Sequence, residues 1–346
     1  MLPEISILVL SHNQKPLLER CMDSILKQEI KVPYEIVVSD DRSTDGSKEF
    51  LEDLSNSDRV CNIKNLLGLI IVHCDTDECE LSRGGRPGWN RLNAYMHARG
   101  KYFVNVDGDD FLVGTNLYQS EYEVLEAHPE CTMVQTRTLS LDGGGSIDEI
   151  KDCYPYSEKL IDGAIFSLED VLCYGLRGQH QSYMYRKRPQ DDMSLILGGH
   201  FDDINITYYH LQFGPEIFLD TTGYVWVQYP KSDSHRIPEE DRRVMYGLIP
   251  LHLALLFRES RDIFLRCGVR KLWGTIATVP TYPQLSNWLR YRYSSSGVFI
   301  HRFYAEKHHG VFSWIRYWFI YSLLLMMKRM RFTSKFWTDL LYWGIV

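Results

Sequence analysis

The chain has 346 residues, of which 45% are hydrophobic and 24% are charged, so it can bury a sizeable core and exceeds the commonest size of a single domain. Its formal net charge is −7, yet residues 290–335 carry nine Lys and Arg against the single acid Glu306. Because the net positive charge of this segment lies beside aromatic and aliphatic residues, a nucleic-acid partner is disfavoured and an anionic membrane surface is favoured.

The eight cysteines are scattered without a CxxC pair, and Cys74 and Cys79 have no second pair at zinc-site spacing. They predict reduced thiols rather than a disulfide framework or a zinc site. The N-terminus has no basic leader, and its apolar run over residues 5–10 is too short for the core of a signal peptide. We therefore expect a cytoplasmic protein.

Apolar runs alternate with amphipathic segments of helix length through the first third of the chain. This alternation is typical of a parallel sheet with crossover helices. The predicted strands cover residues 5–10, 35–39, 69–73 and 102–106. The predicted helices cover residues 15–28, the segment from the N-cap candidates Ser43, Thr44 and Asp45 to Leu54, and residues 89–99.

The rest of the main domain gives weaker signals. Strands are predicted over residues 133–138, 182–186 and 224–228, a loop over residues 142–146, and a helix over residues 203–213. The polar, turn-rich segment 230–243 predicts the end of this core. We therefore expect a main domain over residues 1–240, with a nucleotide-side half over 1–115 and an acceptor-side half over 116–240, and an extension over residues 241–346.

The extension is predicted to be helical over residues 248–266, 281–293 and 311–327. The last run contains Arg316 and, at 17 residues, is shorter than the about 20 apolar residues that span a bilayer. The aromatic and basic side chains in and after it predict a helix that lies on the membrane: Trp314, Tyr317, Trp318, Tyr321, Lys328, Arg329, Arg331, Lys335, Trp337, Tyr342 and Trp343. The alternative is a buried helical hairpin packed on the core or on a second copy in a homodimer.

Polar residues follow the predicted strands directly. The first strand ends in Ser11-His12-Asn13, the second in Asp40-Asp41 and the fourth in Asp107-Gly108-Asp109-Asp110. Because open parallel sheets bind ligands at the carboxyl ends of their strands, we expect a site at this edge. Structural roles are an alternative for some of these acids, since Asp110 can cap the following turn and Asp40 can hydrogen-bond loop amides.

Three carboxylates within the four residues 107–110 repel one another unless a cation or hydrogen-bond donors offset their charge. Mg²⁺ or Mn²⁺ takes such hard oxygen ligands, with the remainder supplied by phosphates and water. Asp107 and Asp109 are two residues apart on a segment expected to be extended, so they point the same way and can share one ion. No glycine-rich phosphate loop follows the first strand, which favours a metal as the group that neutralises substrate phosphates.

The segments ISILVLSHN, VVSDDRSTDGS and ARGKYFVNVDGDD, in this order and spacing, resemble the N-terminal half of the family 2 inverting glycosyltransferases of GT-A fold. The resemblance covers residues 4–235 and is strongest over the first 115. It implies an α/β fold, with a Rossmann-like nucleotide-binding core and a mostly parallel central sheet. It also implies a nucleotide-sugar donor, for which a UDP-sugar is the first expectation.

The resemblance also implies roles for individual residues. Ser11, His12 and Asn13 stand in the family's nucleotide loop, and Asp41, next to Asp40, stands where an acid hydrogen-bonds the nucleotide base. Asp107 and Asp109 match the DxD motif, whose acids contact the ribose and hold the diphosphate-bound metal. The family's Ala-Arg-Asn patch is altered to Trp-Asn-Arg-Leu-Asn over residues 89–93, and only Arg91 is carried over.

The segment GGHFDDINITYYHLQFG resembles the family's acidic pair at the start of an acceptor-side helix. By this resemblance Asp203 is the catalytic base, and Asp202 is either its acidic neighbour or an ordinary helix N-cap. The alternative base is in the pair Asp191-Asp192, where Pro189 and the missing amphipathic run indicate a loop.

These features predict an inverting transfer, assisted by Mn²⁺ or Mg²⁺, of a sugar from its nucleotide to a hydroxyl of a saccharide or lipid-linked acceptor in surface glycan synthesis. Two other classes are alternatives. A metal-dependent phosphohydrolase or phosphotransferase would use a DxD acid as nucleophile, but it normally carries that motif on its first strand. A catalytically idle membrane-bound binding subunit is the other.

Overall fold

The computed structural model describes residues 1–74, 86–154, 157–190, 193–197 and 202–229, together with single positions between 250 and 267. The chain divides into two compact units, Met1–Pro230 and Lys231–Val346. The predicted domain boundary between residues 240 and 241 lies outside the described residues.

The first unit alternates strands and helices. Its strands are β1 (Ile5–Ser11), β2 (Tyr34–Asp40), β3 (Leu66–His73), β4 (Tyr102–Asp107), β5 (Phe111–Leu112), β6 (Met133–Asp142), β7 (Lys151–Tyr154), β8 (Ile165–Phe166), β9 (Tyr183–Arg186) and β10 (Glu216–Gln228). Its α-helices among the described residues are α1 (Lys15–Ile25), α2 (Ser47–Ser55), α3 (Asp58–Cys61), α4 (Arg86–His97), α5 (Leu117–Ala127), α6 (Leu168–Tyr174), α7 (Ser194–Leu197) and α8 (Asp202–His210). Each strand predicted in this unit is present, and the observed β10 begins eight residues earlier than the predicted strand over residues 224–228.

All ten described strands join one mixed sheet, in the order β3-β2-β1-β4-β9-β6-β10-β5, with β7 on β6 and β8 on β10. The long ladders are parallel: β1 pairs with β2 and β4, β2 with β3, and β6 with β10. The antiparallel pairings, which involve β5, β7, β8 and β9, join only two or three residue pairs each. The prediction of a mostly parallel α/β core is therefore confirmed.

The centre of the sheet is buried on both faces. All residues of β1 and β2 are buried, as are those of β4 up to its last residue, Asp107. Helix α1 packs one face against this layer through Leu18, Cys21, Met22 and Ile25. Strands covered on both sides need a continuous apolar sequence, which explains why the first third of the chain was predictable from its runs of Ile, Val and Leu.

Asp45 fixes the start of both helices that flank the first two strands. Its carboxylate accepts hydrogen bonds from the backbone N–H of Lys15 at 2.8 Å and of Ser47 at 3.1 Å. These are the first residues of α1 and α2, whose N–H groups have no partner within the helix. Asp45 therefore bonds to the first turn of α2 as a cap would, but the N-cap position itself is Gly46 and none of the three predicted candidates.

A buried acid joins the amino ends of the central strands. Glu35, at the start of β2, accepts hydrogen bonds from Ser6 Oγ at 2.7 Å and from Arg99 through its backbone N–H at 2.6 Å and its guanidinium Nε at 2.8 Å. The Gly100 N–H donates to Ser6 Oγ at 2.8 Å, and a Cβ at Gly100 would lie 2.6 Å from the backbone nitrogen of Ser6. Glu35, Ser6, Arg99 and Gly100 therefore form a connected hydrogen-bond network at the amino ends, opposite to the predicted site.

Strand β9 lies between β4 and β6 and runs antiparallel to both. It pairs Val104 with Met184 and Tyr102 with Arg186. Continuing this register places Gln181, two residues before β9, opposite Asp107 at the carboxyl end of β4. The antiparallel insertion therefore brings the turn before β9 to the edge where the parallel strands end.

The second unit is described at few positions. Phe257 donates its N–H to the Leu253 carbonyl at 2.8 Å and Phe264 to that of Ser260 at 3.2 Å, as in helical turns, but Glu259 and Ser260 form a turn that interrupts the predicted helix over residues 248–266. The predicted helices over residues 281–293 and 311–327 lie outside the described residues. Among the helices that are described, none has the length and apolarity needed to cross a bilayer.

Glu121 provides a test of the core that is separate from the site. This residue of α5 is 1% exposed, and burial raises the pKa of its carboxyl to about 8 from 4.5. Because the pKa is raised in the folded state, the folded chain holds the proton more tightly and loses stability as pH rises from about 4.5 to 8. Glu121→Gln should remove this loss, so the variant should gain up to about 1.4 kcal/mol of stability over wild type per pH unit in that window.

The measurement is urea unfolding of wild type and variant at several pH values from 5 to 8.5. Glu123→Gln is the matched control, because Glu123 lies on the exposed face of the same helix. A stability difference that is the same at every pH would contradict the buried, protonated state of Glu121.

Candidate active site

The carboxyl ends of three parallel strands meet at one edge of the sheet. The register pairs Ser11 with Asp40 and Leu10 with Asp107, so β1, β2 and β4 end side by side. The polar residues that follow these strands in the sequence are therefore neighbours in space, as predicted.

The loops after β1 and β2 hold each other. His12 Nδ1 donates to the Asp41 carbonyl at 2.6 Å, and Asn13 Oδ1 accepts from the Thr44 N–H at 2.7 Å. The Asn13 N–H donates to Ser43 Oγ at 2.9 Å, while its backbone adopts a left-handed φ of 49° that asparagine tolerates better than most residues. His12 and Asn13 thus lie at the edge, where they shape an exposed loop pair.

The two acids after β2 differ in their environment. Asp40 accepts from Ser43 through both carboxylate oxygens, from the N–H at 3.0 Å and the hydroxyl at 2.6 Å, which is the loop contact that the sequence offered as an alternative. Asp41 is buried, and its N–H donates to the Ser11 carbonyl at 2.9 Å. The same carbonyl accepts from Asn90 Nδ2 at 3.3 Å, which connects α4 to the end of β1.

Asp107 is the most heavily paired acid of the edge. Gln181 Nε2 donates to Oδ2 at 2.6 Å, Arg91 Nη2 lies 3.3 Å from Oδ1, and His180 Nε2 lies 3.5 Å from Oδ2. Burial would raise the pKa of the Asp107 carboxyl, but His180, when protonated, and Arg91 hold it well below its usual range. Asp107 is therefore an ionised acid with both oxygens engaged, and its side chain is still 30% exposed.

Asp109 lies in a turn and not on the predicted extended segment. The Asp110 N–H donates to the Asp107 carbonyl at 3.0 Å, which ends β4 and closes the turn. The argument that alternating side chains make Asp107 and Asp109 point the same way is therefore wrong, although the turn keeps both acids at the edge. Arg20 Nη2 donates to the backbone carbonyl of Asp109 at 3.2 Å.

The electrostatics of Asp109 suit a cation. Burial and the nearby charge of Asp107 raise the pKa of the Asp109 carboxyl to about 6. A divalent ion would remove this penalty, and carboxylate oxygen is the ligand type that Mg²⁺ and Mn²⁺ prefer. The residues present therefore fit a metal, with Asp109 as the more available ligand and Asp107 as its already paired neighbour.

Asp110 has a structural role. Its buried carboxylate accepts from the Tyr224 hydroxyl and from the Val227 N–H at 2.7 Å, and both donors belong to β10. Burial, with the charges of Asp109 and Asp107, raises the pKa of Asp110 well above its ordinary value. Asp110 thus joins the turn after β4 to β10. The sequence predicted a cap of the following turn, and the observed partners lie on a distant strand instead.

Asp203 lies near the start of α8, close to the side chains of a histidine and an arginine. Its Oδ2 is 4.0 Å from His180 Nδ1 and 4.0 Å from Arg177 Nη1, and the side chain is 30% exposed. The helix begins at Asp202, one residue before the predicted start. The rival pair Asp191-Asp192 lies outside the described residues.

Sequence reasoning missed Arg177, His180 and Gln181, which contact the acids of the site. They belong to the polar run RGQHQ that precedes the buried strand β9. That run was a usable signal, because polar residues at the end of a buried strand had already identified the rest of the edge. Its proximity to Asp107 depends on the antiparallel pairing of β9, which local sequence does not reveal.

Comparisons with known proteins agree with this geometry. Residues 6–145 match the model of glycosyl transferase family 2. The chain is 32% identical over 110 residues to a poly(ribitol-phosphate) beta-glucosyltransferase of Bacillus spizizenii, covering 32% of this chain and 15% of that protein. It is 31% identical over 112 residues to a GalNAc(5)-diNAcBac-PP-undecaprenol beta-1,3-glucosyltransferase of Campylobacter jejuni, covering 32% of this chain and 31% of that protein. The chain thus spans less than a third of the length of these relatives.

Among solved structures, residues 1–349 of TarS from S. aureus in complex with UDP-GlcNAc align with a TM-score of 0.51 at 15% sequence identity. The alignment covers 86% of this chain and 89% of that one. At this identity the likeness shows the fold, and it confirms the predicted GT-A architecture. Residues 6–145 therefore match glycosyl transferase family 2, in a chain that has the GT-A fold.

Proposed function

We propose that the chain is an inverting glycosyltransferase that moves a sugar from a nucleoside diphosphate, UDP in the first place, to a hydroxyl of a saccharide or lipid-linked acceptor. The observation that carries the proposal is the juxtaposition of the DxD acid Asp107 and the candidate base Asp203, which face one another across the single imidazole of His180. The proposed donor-side acid and the proposed base are thus separated by one side chain.

Support for the donor comes from the edge of the sheet. The paired loops of His12, Asn13 and Asp41 border the carboxyl ends of the strands, where a nucleotide binds in open α/β sheets. The TarS structure of the same fold contains UDP-GlcNAc. The names of the two relatives include a poly(ribitol-phosphate) and an undecaprenol-linked saccharide, which supports a polymeric or lipid-linked acceptor.

In the proposed reaction, the acceptor oxygen forms a bond to the anomeric carbon while the bond from that carbon to the diphosphate oxygen breaks. The hydroxyl proton passes to the Asp203 carboxylate, and the electron pair leaves with the nucleoside diphosphate. A Mn²⁺ or Mg²⁺ held by Asp109 and Asp107 supplies, when bound, charge stabilisation for the departing diphosphate. Arg91 and Gln181 hold Asp107 ionised and oriented throughout.

An assay of purified protein with UDP-, GDP- and dTDP-sugars, with Mn²⁺ or with chelator, tests this function. Metal-dependent release of a nucleoside diphosphate is expected, together with thermal stabilisation by the matching donor. Release of inorganic phosphate would favour a phosphohydrolase, and binding without any release would favour a catalytically idle subunit.

We also propose that the C-terminal extension, residues 241–346, brings the enzyme to the cytoplasmic face of a membrane. The support is its sequence, where four cations at 328, 329, 331 and 335 lie among tryptophans and tyrosines. The alternative, a homodimer interface through the same helices, predicts binding to a second copy and not to lipid.

Replacing Lys328, Arg329, Arg331 and Lys335 by Gln should abolish flotation of the full chain with vesicles that contain anionic lipid. Each cation near an anionic surface contributes about 1 kcal/mol, so four together change the partition by orders of magnitude. Vesicles of neutral lipid are the control, and size-exclusion chromatography reports the oligomeric state. Unchanged flotation of the variant would contradict the proposal.

Asp203→Asn should abolish sugar transfer while donor binding remains. Loss of a general base typically costs about 10²- to 10⁴-fold in rate, and Asn preserves the size of the side chain. UDP release with acceptor measures turnover, and calorimetry with UDP and Mn²⁺ measures donor binding. Asp192→Asn serves as the comparison for the rival assignment, and loss of transfer there with retention in Asp203→Asn would move the base.

Asp109→Asn should separate metal binding from stability. The variant should lose Mn²⁺-dependent UDP binding, yet its metal-free form should melt a few °C higher than wild type, because a repelled carboxylate has been removed. The pKa of Asp109 is raised to about 6 in the folded state, so ionisation costs stability as pH rises through about 4 to 6. The gain should therefore be full above pH 6 and vanish below pH 4.

Asp110→Ala should show the reverse pattern, with a lower melting temperature, since it removes the acceptor for Tyr224 and Val227. Thermal unfolding without metal at pH 5, 6 and 8 measures both variants. A melting temperature for Asp109→Asn below that of wild type at pH 8 would contradict the conclusion that burial and the charge of Asp107 destabilise the ionised Asp109.

A further inference from the structure

His180 stands between the two acids of the proposed reaction. Its Nε2 lies 3.5 Å from Asp107 Oδ2, and its Nδ1 lies 4.0 Å from Asp203 Oδ2. The side chain is 7% exposed, so the ring is nearly enclosed, whereas both carboxylates are 30% exposed. Each ring nitrogen therefore faces one acid, and the ring itself is too enclosed to reach the acceptor hydroxyl.

Hydrogen bonds fix the backbone segment that carries His180. His180 begins a short 3₁₀ turn, His180–Ser182, that is closed by the Ser182 N–H and hydroxyl donating to the Gln179 carbonyl at 3.0 and 2.7 Å. The Gly178 N–H donates to the Tyr183 hydroxyl at 2.8 Å, and this hydroxyl donates to Gln135 Oε1 at 2.7 Å on β6. The segment on both sides of His180 is thus fixed to the sheet by buried hydrogen bonds.

Each of the two acids also has its own arginine. Arg91 lies 3.3 Å from Asp107, and Arg177 lies 4.0 Å from Asp203. These arginines offset charge on one side each, whereas His180 is within ion-pair distance of both carboxylates. The His180 ring thus lies near both acids, and a rigid aromatic ring fixes a separation better than two flexible side chains.

We propose that His180 is a positioning residue that sets the base Asp203 relative to the donor-holding acid Asp107, with one ring nitrogen assigned to each. This inference rests on the proposed function. Displacement of a sugar requires the acceptor oxygen, the base and the anomeric carbon to be aligned, and misplacement by about 1 Å can cost about 10²-fold in rate. A base oriented by a third group is a common arrangement in enzyme sites.

Two substitutions test the two ring nitrogens of His180 separately. The amide nitrogen of Asn occupies nearly the place of imidazole Nδ1, and that of Gln nearly the place of Nε2. His180→Gln should keep the contact with Asp107 and lose the one with Asp203, so kcat should fall about 10- to 100-fold while the donor KM stays within about threefold. His180→Asn should do the opposite, raising the donor KM about three- to tenfold with kcat within about threefold.

Gln181→Leu is the matched control, because Gln181 donates to Asp107 from the next position in the chain. It should raise the donor KM as His180→Asn does. UDP release with saturating acceptor gives kcat and KM, calorimetry with UDP and Mn²⁺ gives donor affinity, and thermal unfolding reports the fold of each variant.

Opposite changes of kcat and KM in the Gln and Asn variants, with melting temperatures near that of wild type, support the proposal. Equal losses in the two variants overturn it, and so does loss of the fold in both, since His180 would then be a core residue. Absence of UDP release by the wild-type chain contradicts the proposed function itself, which separates the two failures.

Discussion

The repulsion among three carboxylates at the end of β4 is the constraint on which the rest of the site depends. Asp107, Asp109 and Asp110 lie within one turn, and like charges so close cannot all be ionised without compensation. The fold treats each acid differently. Asp110 is buried against donors of β10, Asp107 is ionised between Arg91 and Gln181, and Asp109 is left with a raised pKa of about 6. Asp109 is thus the acid of the three to which our proposal assigns a cation.

The mixed sheet makes this arrangement possible. Its parallel half brings the ends of β1, β2 and β4 together. In the proposed reaction this edge binds the nucleotide, but the proposed general base does not come from these strands. The antiparallel strand β9 enters beside β4 from the opposite direction, so that the residues before it reach the edge where β4 ends. His180 and Gln181 come from that turn, and α8 follows with Asp203. His180, Gln181 and Asp203 therefore lie near Asp107 because one strand reverses direction, and not because they are close in sequence.

This difference also explains what the sequence could predict. Strands β1, β2 and β4 and the acids after them were predictable, because burial on both faces requires continuous apolar runs and parallel strands share a carboxyl edge. The turn geometry of Asp109, the partner of Asp110 on β10 and the place of His180 were not predictable from local pattern. The turn at Asp109 is local, but the apolar pattern does not show where β4 ends. The partner of Asp110 and the place of His180 depend on pairing between segments that are about 70 to 120 residues apart. No periodicity within a short window encodes such pairings, and Asp203 was singled out only by the resemblance of its segment to a family motif.

The two ends of the same central strands show how a buried acid can be distinguished as structural or functional. At the amino end, Glu35 accepts from the Ser6 hydroxyl and from the backbone and guanidinium of Arg99, so its hydrogen-bonding capacity is used within the protein. At the carboxyl end, Asp109 is half-buried and is repelled by Asp107, and its own backbone N–H and the charge of Arg20 offset only part of this penalty. A protein gains nothing in stability from an uncompensated carboxylate, since burial and like charge both oppose its ionisation. The proposed ligand-binding role accounts for that cost at Asp109, whereas the buried Glu35 at the other end of the same strands is accounted for by its protein partners.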